Sequence, residues 1–339
     1  REALPARARL LETMGLIAGK WPHSLAFRPG GVTRALDLGA IMRLFALIAD
    51  FRAFAEKVLF AAPLEAVASL DSCAALEAFA RGGGDFAAFL RVAFDLRLEE
   101  LGPGPGPLMS VGAYDGPQGH YFPAGLFEAA TGALRPPPPG AIEEDVSHAY
   151  MRDTSADPAL AETTPDIHRP GAYSFAKAPR LEGRAVEVGA LARQAVAGHP
   201  LIRDLLARRG ASNVLARIVA RVLEIALLTR AMEEWTRALR PGEPYCHADA
   251  PLRDGPVTGF VEAARGALGH WARFRGGQIE RYQIIAPTTW NFSPRDAAGN
   301  PGPLEQALQG LEVGEEGASS VAVQHVVRSF DPCMVCTAH

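Results

Sequence analysis

The sequence is poor in cysteine: Cys73, Cys246, Cys333 and Cys336 are the only four in 339 residues. So thin a supply argues against a disulfide scaffold and for a reducing compartment. It leaves the thiols to act as ligands rather than staples. An excess of one charge is also missing. Lys and Arg number 34 against 38 Asp and Glu, a formal net of -4. With no basic field and no block of like charge, nucleic acid is not an expected partner. Nor is there a long apolar run. The two most apolar stretches, Ile41 to Leu59 and Val214 to Leu228, are broken by Arg43, Asp50 and Arg52, and by Arg217, Arg221 and Glu224. A bilayer span needs about 20 mostly apolar residues, so both read as buried or amphipathic helices and no transmembrane segment is expected. Internal repeats are absent too. The chain opens on Arg1 rather than Met, which leads us to expect a longer gene product.

What is present is a large store of apolar residues, 48% of the chain, enough for a substantial core. Helical periodicity predicts helices over 5–20, 33–59, 86–98, 185–197 and 211–239, and a last one carrying Val323, Val326, Val327 and Phe330. Leu101 to Pro107 (LGPGPGP) is a loop by composition, and 111–127 predicts short strands between Gly and Pro turns. Residues 135–170, with Pro136 to Pro139, read as a long surface excursion. Between Val257 and Ile285 the pattern turns to strands, and Gly276-Gly277 between two branched and aromatic runs predicts a hairpin. The fold class expected is mainly α with minor β, a single domain over 1–339 with a small β-hairpin region near 257–285.

The chemistry-bearing residues gather in three stretches. The chain ends Asp331-Pro332-Cys333-Met334-Val335-Cys336-Thr337-Ala338-His339. Two thiols three apart and an imidazole three further on can face one side of a helical turn. Thiolates are soft ligands for nickel, zinc or iron. A bare Cys-x-x-Cys equally describes half a zinc knuckle or a redox dithiol, although no second pair here completes a zinc site. Cys73 and Cys246 stand alone and read as core cysteines. In the second stretch, Glu262 to Gly266 and Ala286 to Asn291, two strands of a hairpin can bring Arg265 and Thr288 to one end. They would form a donor pocket for small anionic groups; the plainer alternative pairs Arg265 with a surface carboxylate and puts Thr288 in a turn. The third stretch, Tyr173 to Arg180 (YSFAKAPR), reads by itself as a packed aromatic with two solvated cations.

Together these stretches resemble the [NiFe] hydrogenase large-subunit family over nearly the whole chain. The ending RSFDPCMVCTAH (328–339), the block ERYQIIAPTTWNFSPRD (280–296), and YSFAKAPR followed by Glu187-Val188-Gly189 each match a family block. GKWPHSLAFRPGGVTR (19–34) and EAARG (262–266) look most like the branch of cytosolic uptake enzymes and dihydrogen sensors. The resemblance implies a mainly helical fold and a nickel–iron centre held by four cysteinyl sulfurs, with carbon monoxide and two cyanides on iron. It implies Cys333 as a terminal nickel ligand and Cys336 as a bridge between nickel and iron. Arg265 would overhang the centre, Thr288 and the Pro287 region would hydrogen-bond a cyanide, and Asp331 would orient the site. His339 and the Ile284 carbonyl would bind magnesium. The implied reaction is heterolytic cleavage of dihydrogen, with electrons leaving through the iron–sulfur clusters of a separate small subunit, in the cytoplasm.

Departures accompany the resemblance. The family's N-terminal Cys-x-x-Cys pair has no counterpart among these residues, nor do its N-terminal magnesium-binding acid and proton-relay acid. The common proline before Arg265 is Ala264 here. The alternative to an uptake enzyme is a dihydrogen-sensing regulatory subunit that signals to a kinase. A chain stopping at His339 would favour it, because sensors of the family end at that His.

Overall fold

The computed structural model describes residues 2–116, 119–137, 140–247 and 253–334. The contacts divide the chain into two compact units. The first comprises 1–70, 74–92 and 222–251. It is built on helices α1 (Ala3–Leu10), α2 (Glu12–Ala18), α3 (Leu38–Phe54), α4 (Leu64–Ala68), α5 (Cys73–Phe79) and α6 (Gly84–Asp95), with a short ribbon of β1 (Phe27–Arg28) and β2 (Gly31–Val32). The Asp37 carboxylate caps α3 by accepting from the Ala40 N–H at 2.7 Å. The helix then buries Ala40, Ile41, Leu44, Leu47 and Ile48, one stripe at helical spacing. The long pattern predicted over 33–59 is thus two pieces, α3 and a π turn at Ala55–Phe60.

The second unit comprises 71–73, 93–221 and 252–339. Strands β3 (Pro107–Gly116) and β4 (Gly119–Glu128) form an antiparallel pair, flanked by β5 (Leu134–Arg135) and by β8 (Glu187–Val188), which runs parallel to β3. The short strands expected at 111–127 are therefore long ones. A second sheet holds β9 (Gly255–Ala263), β10 (Gly266–Arg275) and β11 (Gln278–Ile285) in antiparallel order. Its hairpin turns at Gly276 and Gly277, both at positive φ (58° and 75°), as a two-residue turn matched to sheet twist demands. Helices α7 (Ala190–Ala197), α8 (Pro200–Arg209), α10 (Pro287–Asn291), α11 (Pro303–Leu308) and α12 (Val321–Ser329) lie in this unit, as do the first residues of α9 (Val214–Ala238), which from residue 222 belongs to the first. Helix exceeds strand and the strands fall in small sheets, roughly the helix-dominated architecture expected from periodicity.

The core of this unit joins both sheets and α10: Met109, Leu126, Leu181, Val188, Trp271, Ile285 and Trp290 pack together. Each such buried apolar side chain contributes about 1.5–3 kcal/mol of transfer free energy. Residues 135–170 depart from the surface excursion expected of them. Strand β6 (Ile142–Asp145) pairs with β7 (Ala178–Leu181), and Val146, Ala149 and Met151 close a small core of their own. Low periodicity concealed them because the burial comes from isolated bridges, Met151 to Pro165 and Ala149 to Ser174, rather than from regular elements.

Candidate functional site

Helix α12 delivers the chain to the site. Ser320 caps its start, accepting from the Val323 N–H, and it ends at Ser329. Phe330 then lies beneath the Arg217 guanidinium, 3.8 Å from ring centroid to Cζ. Asp331 adopts a left-handed backbone (φ 52°), a conformation that Asp tolerates better than most residues. This turns Cys333 toward α10, where its N–H donates to Thr288 Oγ1 at 3.2 Å. Thr288 is buried, and Pro287 occupies the first turn of α10, its φ suited to a helix start.

Arg265 arrives from the other side. Ala263 pairs with Gly266, so Ala264-Arg265 is the two-residue turn between β9 and β10. The Arg265 Nε donates to the Asp331 carbonyl at 2.8 Å and stands 3.5 Å from its carboxylate. Arg265, Thr288, Asp331 and Cys333 thus converge. Arg265 does pair a carboxylate, as the plainer reading had it, but that carboxylate is Asp331 of the cysteine motif. Cys336 and His339 lie outside the described residues.

Sequence reasoning missed the scaffold behind these groups. Arg217 and Arg221 counted there only as breaks in an apolar stretch. Arg217 is buried and grips Glu187 with two bonds, Nε to Oε1 at 2.7 Å and Nη2 to Oε2 at 2.9 Å, while also donating to the Gly102 carbonyl. Arg221 donates to the Ser329 carbonyl, and burial pulls its guanidinium below its ordinary value against the attraction of Asp331. A small cavity is lined by Arg217, Arg221 and Arg265 together with Glu187, Asn291 and Asp331. Three guanidiniums against the carboxylates of Glu187 and Asp331 leave this lining with a net positive charge, an environment suited to small anionic groups. The signal available in the sequence was the i, i+4 spacing of two arginines inside an apolar helix.

Glu187-Val188-Gly189 is the junction of this scaffold. Asn291 clasps the Val188 backbone in both directions, accepting its N–H at 3.1 Å and donating to its carbonyl at 2.9 Å, which ties α10 to β8. Gly189 and Gly266 let the β9–β10 turn come close. A Cβ on Gly266 would stand 2.6 Å from Val188, and one on Gly189 would stand 3.3 Å from the Arg265 carbonyl.

Beyond α10 a second cavity is lined by Glu144, Lys177, Gln283, Ile284 and Thr289. Glu144 is buried, which pushes its carboxyl up from the ordinary range; Lys177 lies 3.6 Å away and Gln283 donates to it at 2.5 Å. The expectation of two solvated cations in YSFAKAPR is overturned. Lys177 and Arg180 are both buried, and Arg180 donates to Asp296, Ser293 and the carbonyls of Pro294 and Asn300. Ile284, by contrast, is exposed in β11, opposite His270. Cys73 is buried as expected, whereas Cys246 is only half-buried. Among the described residues no three His, Cys, Asp or Glu side chains cluster as a complete metal site, and no helix is long and apolar enough to cross a membrane.

The comparisons with known proteins agree on one family. The model of the nickel-dependent hydrogenases matches residues 2–339. The periplasmic [NiFeSe] hydrogenase large subunit of Desulfomicrobium baculatum is 37% identical over 220 residues, covering 58% of this chain and 42% of that one. The uptake hydrogenase large subunit of Rhodobacter capsulatus is 35% identical over 190 residues, covering 49% and 32%. The Ni-Fe-Se hydrogenase of Desulfovibrio vulgaris Hildenborough, in its as-isolated oxidized state, superposes with a TM-score of 0.82 at 28% identity. It covers 100% of this chain and 69% of that one. The matches to the curated relatives span less than half of their length. With its sequence matched from end to end by the family model, the chain belongs to the nickel-dependent hydrogenase family.

Proposed function

We propose that this chain is the catalytic part of a [NiFe] hydrogenase large subunit that oxidises dihydrogen. The observation that carries the reading is the seating of Cys333 on Thr288 beside Arg265 and Asp331, in a member of this family. The donor chemistry fits: a soft thiolate for nickel, with cationic and hydroxyl donors for anionic ligands on iron. Cys333 and Cys336 would hold the centre, with carbon monoxide and two cyanides completing iron. When bound, that centre supplies Lewis acidity that polarises dihydrogen for heterolytic cleavage.

The chain's own groups then have separable roles. Thr288 Oγ1 already accepts from the Cys333 N–H, so its hydroxyl proton would be free to donate to a cyanide beside Pro287. Arg265 keeps a permanent positive charge against the anionic ligands, a positioning and electrostatic role rather than that of a base. Asp331 orients Arg265 and the turn into Cys333. A thiolate sulfur of the Cys333–Cys336 pair would be the base for the proton of the split bond, the hydride being left to the metals.

We assign His339 and the Ile284 carbonyl to magnesium, with Glu144 and Gln283 in the adjoining cavity as acceptor and donor for its waters. Electrons would leave through an iron–sulfur small subunit, since with Cys333 and Cys336 on the centre only Cys73 and Cys246 remain and a cluster takes four. We take 1–339 as one large-subunit domain of the family. The reading carries no compartment, because one relative named above is periplasmic.

The test is production of the full-length protein in a host able to mature such centres. Nickel, iron and dihydrogen-dependent dye reduction are expected in the wild type, and loss of nickel in Cys333→Ser and Cys336→Ser. A preparation free of nickel and iron would overturn the reading; metal with very slow turnover would turn it toward a dihydrogen sensor.

A further inference from the structure

The most deeply buried cation of the second unit is Arg193 on α7, and nothing in the mechanism above uses it. Its side chain and that of its partner Glu262 are each 1% exposed. Its Nη1 donates to Glu262 Oε2 at 2.7 Å and to the Ala263 carbonyl at 3.0 Å, and its Nη2 donates to the Ala264 carbonyl at 3.0 Å. The other oxygen of Glu262 accepts from the Val111 N–H of β3 at 2.9 Å. One planar guanidinium therefore holds the three residues that precede Arg265 and moors them to β3. Burying an arginine is costly unless its donors are met, and here they are met by the Glu262 carboxylate and by the carbonyls of Ala263, which closes β9, and Ala264, which opens the turn. A flexible ammonium could satisfy Glu262 but lacks the rigid fork that reaches two successive carbonyls as well.

We propose that Arg193 is a positioning residue that sets Arg265 over the thiolate end of the site by clamping the Ala263 and Ala264 carbonyls; this rests on the hydrogenase reading above. Arg265 is half-exposed and, among the described residues, its guanidinium is tied by Asp331 alone. Its direction is then set by where its own backbone lies. Gly189 and Gly266 define how near that backbone comes, and Arg193 defines its orientation.

The experiment uses the full-length hydrogenase with its partner subunits, carrying Arg193→Lys or Arg193→Gln in the wild-type and Arg265→Lys backgrounds. Nickel content, melting temperature, turnover, and hydrogen exchange of the 263–266 amides are measured for each. In variants that load nickel as the wild type does, we expect turnover to fall roughly 100-fold. Exchange of the turn should quicken about tenfold, the equivalent of one lost hydrogen bond. In the Arg265→Lys background the further fall should be within about twofold, because the two residues act as one unit. Unchanged turnover and exchange in nickel-loaded variants overturns the proposal. So does an equal loss in both backgrounds, and so does failure of both variants to take up nickel, which would make Arg193 a support of the whole unit. A wild type without nickel sinks the hydrogenase reading instead, while the exchange measurement still decides whether Arg193 holds the turn.

Discussion

Two kinds of arginine–carboxylate pair stand within a few residues of one another in the second unit. Arg193–Glu262 and Arg217–Glu187 are almost fully buried, with exposures of 1% and 1%, and 3% and 3%. Arg265–Asp331 is 39% and 40% exposed, and its closest approach is a carbonyl contact rather than a fork on the carboxylate. Burial raises both the strength of an ion pair and the penalty for breaking it, so the first kind holds geometry and is intolerant of change. The exposed kind contributes little to stability and keeps a cation available for chemistry. In the proposal above, the second kind hangs from the first.

That contrast can be broken most sharply at Arg217. Arg217→Ala leaves Glu187 charged and buried, and is expected to destabilise the protein by about 3–5 kcal/mol in chemical denaturation; a change below about 1 kcal/mol would mean that the buried pair is no stronger than a surface one. Next comes a neutral clasp of the same junction. Asn291→Leu deprives both Val188 backbone groups of a partner and should cost about 2–4 kcal/mol by the same measurement.

A third buried pair tests the contrast by pH. Burial pushes the Asp296 carboxyl up, but the Asn300 N–H and Arg180 outweigh it and hold the group below its ordinary value of 3.8. A depressed acid contributes stability that is fully present above the unfolded value and is lost as pH falls through the folded one. Acid denaturation should therefore steepen below about pH 3.8, and Asp296→Asn should remove that component; identical acid limbs in the two proteins would contradict the pairing. The smallest change in stability is expected at the exposed pair. Asp331→Asn keeps the carbonyl that accepts from Arg265 and should shift stability by less than about 1 kcal/mol, while reducing turnover or nickel retention roughly 10- to 100-fold. A large stability loss with intact activity would reverse the assignment of the two kinds.

Legibility followed the same division. Cys333 stood out as part of a thiol pair, while Thr288 and Arg265 were open to a plainer reading and, with Asp331, gained their roles only from the resemblance their blocks carry. The Gly276-Gly277 hairpin was legible because two consecutive positive φ values favour glycine. Arg193, Arg217 and Lys177 were not. A buried arginine and a solvated one look alike until the partner is known, and Arg193 meets Glu262 across 69 residues, Arg217 meets Glu187 across 30. Residues 135–170 were missed for a related reason: their small core is closed by pairings with β7 and with Ser174, which no local period announces.

The sequence by itself determined the family, the motif that carries the thiols, the charge balance and the main helical and hairpin periods, since each is written in residue type and short spacing. Only the tertiary structure decided which arginines are buried in pairs and which stay half-exposed. That distinction rests on desolvation and on partners supplied by remote segments, and neither quantity exists until the chain has folded.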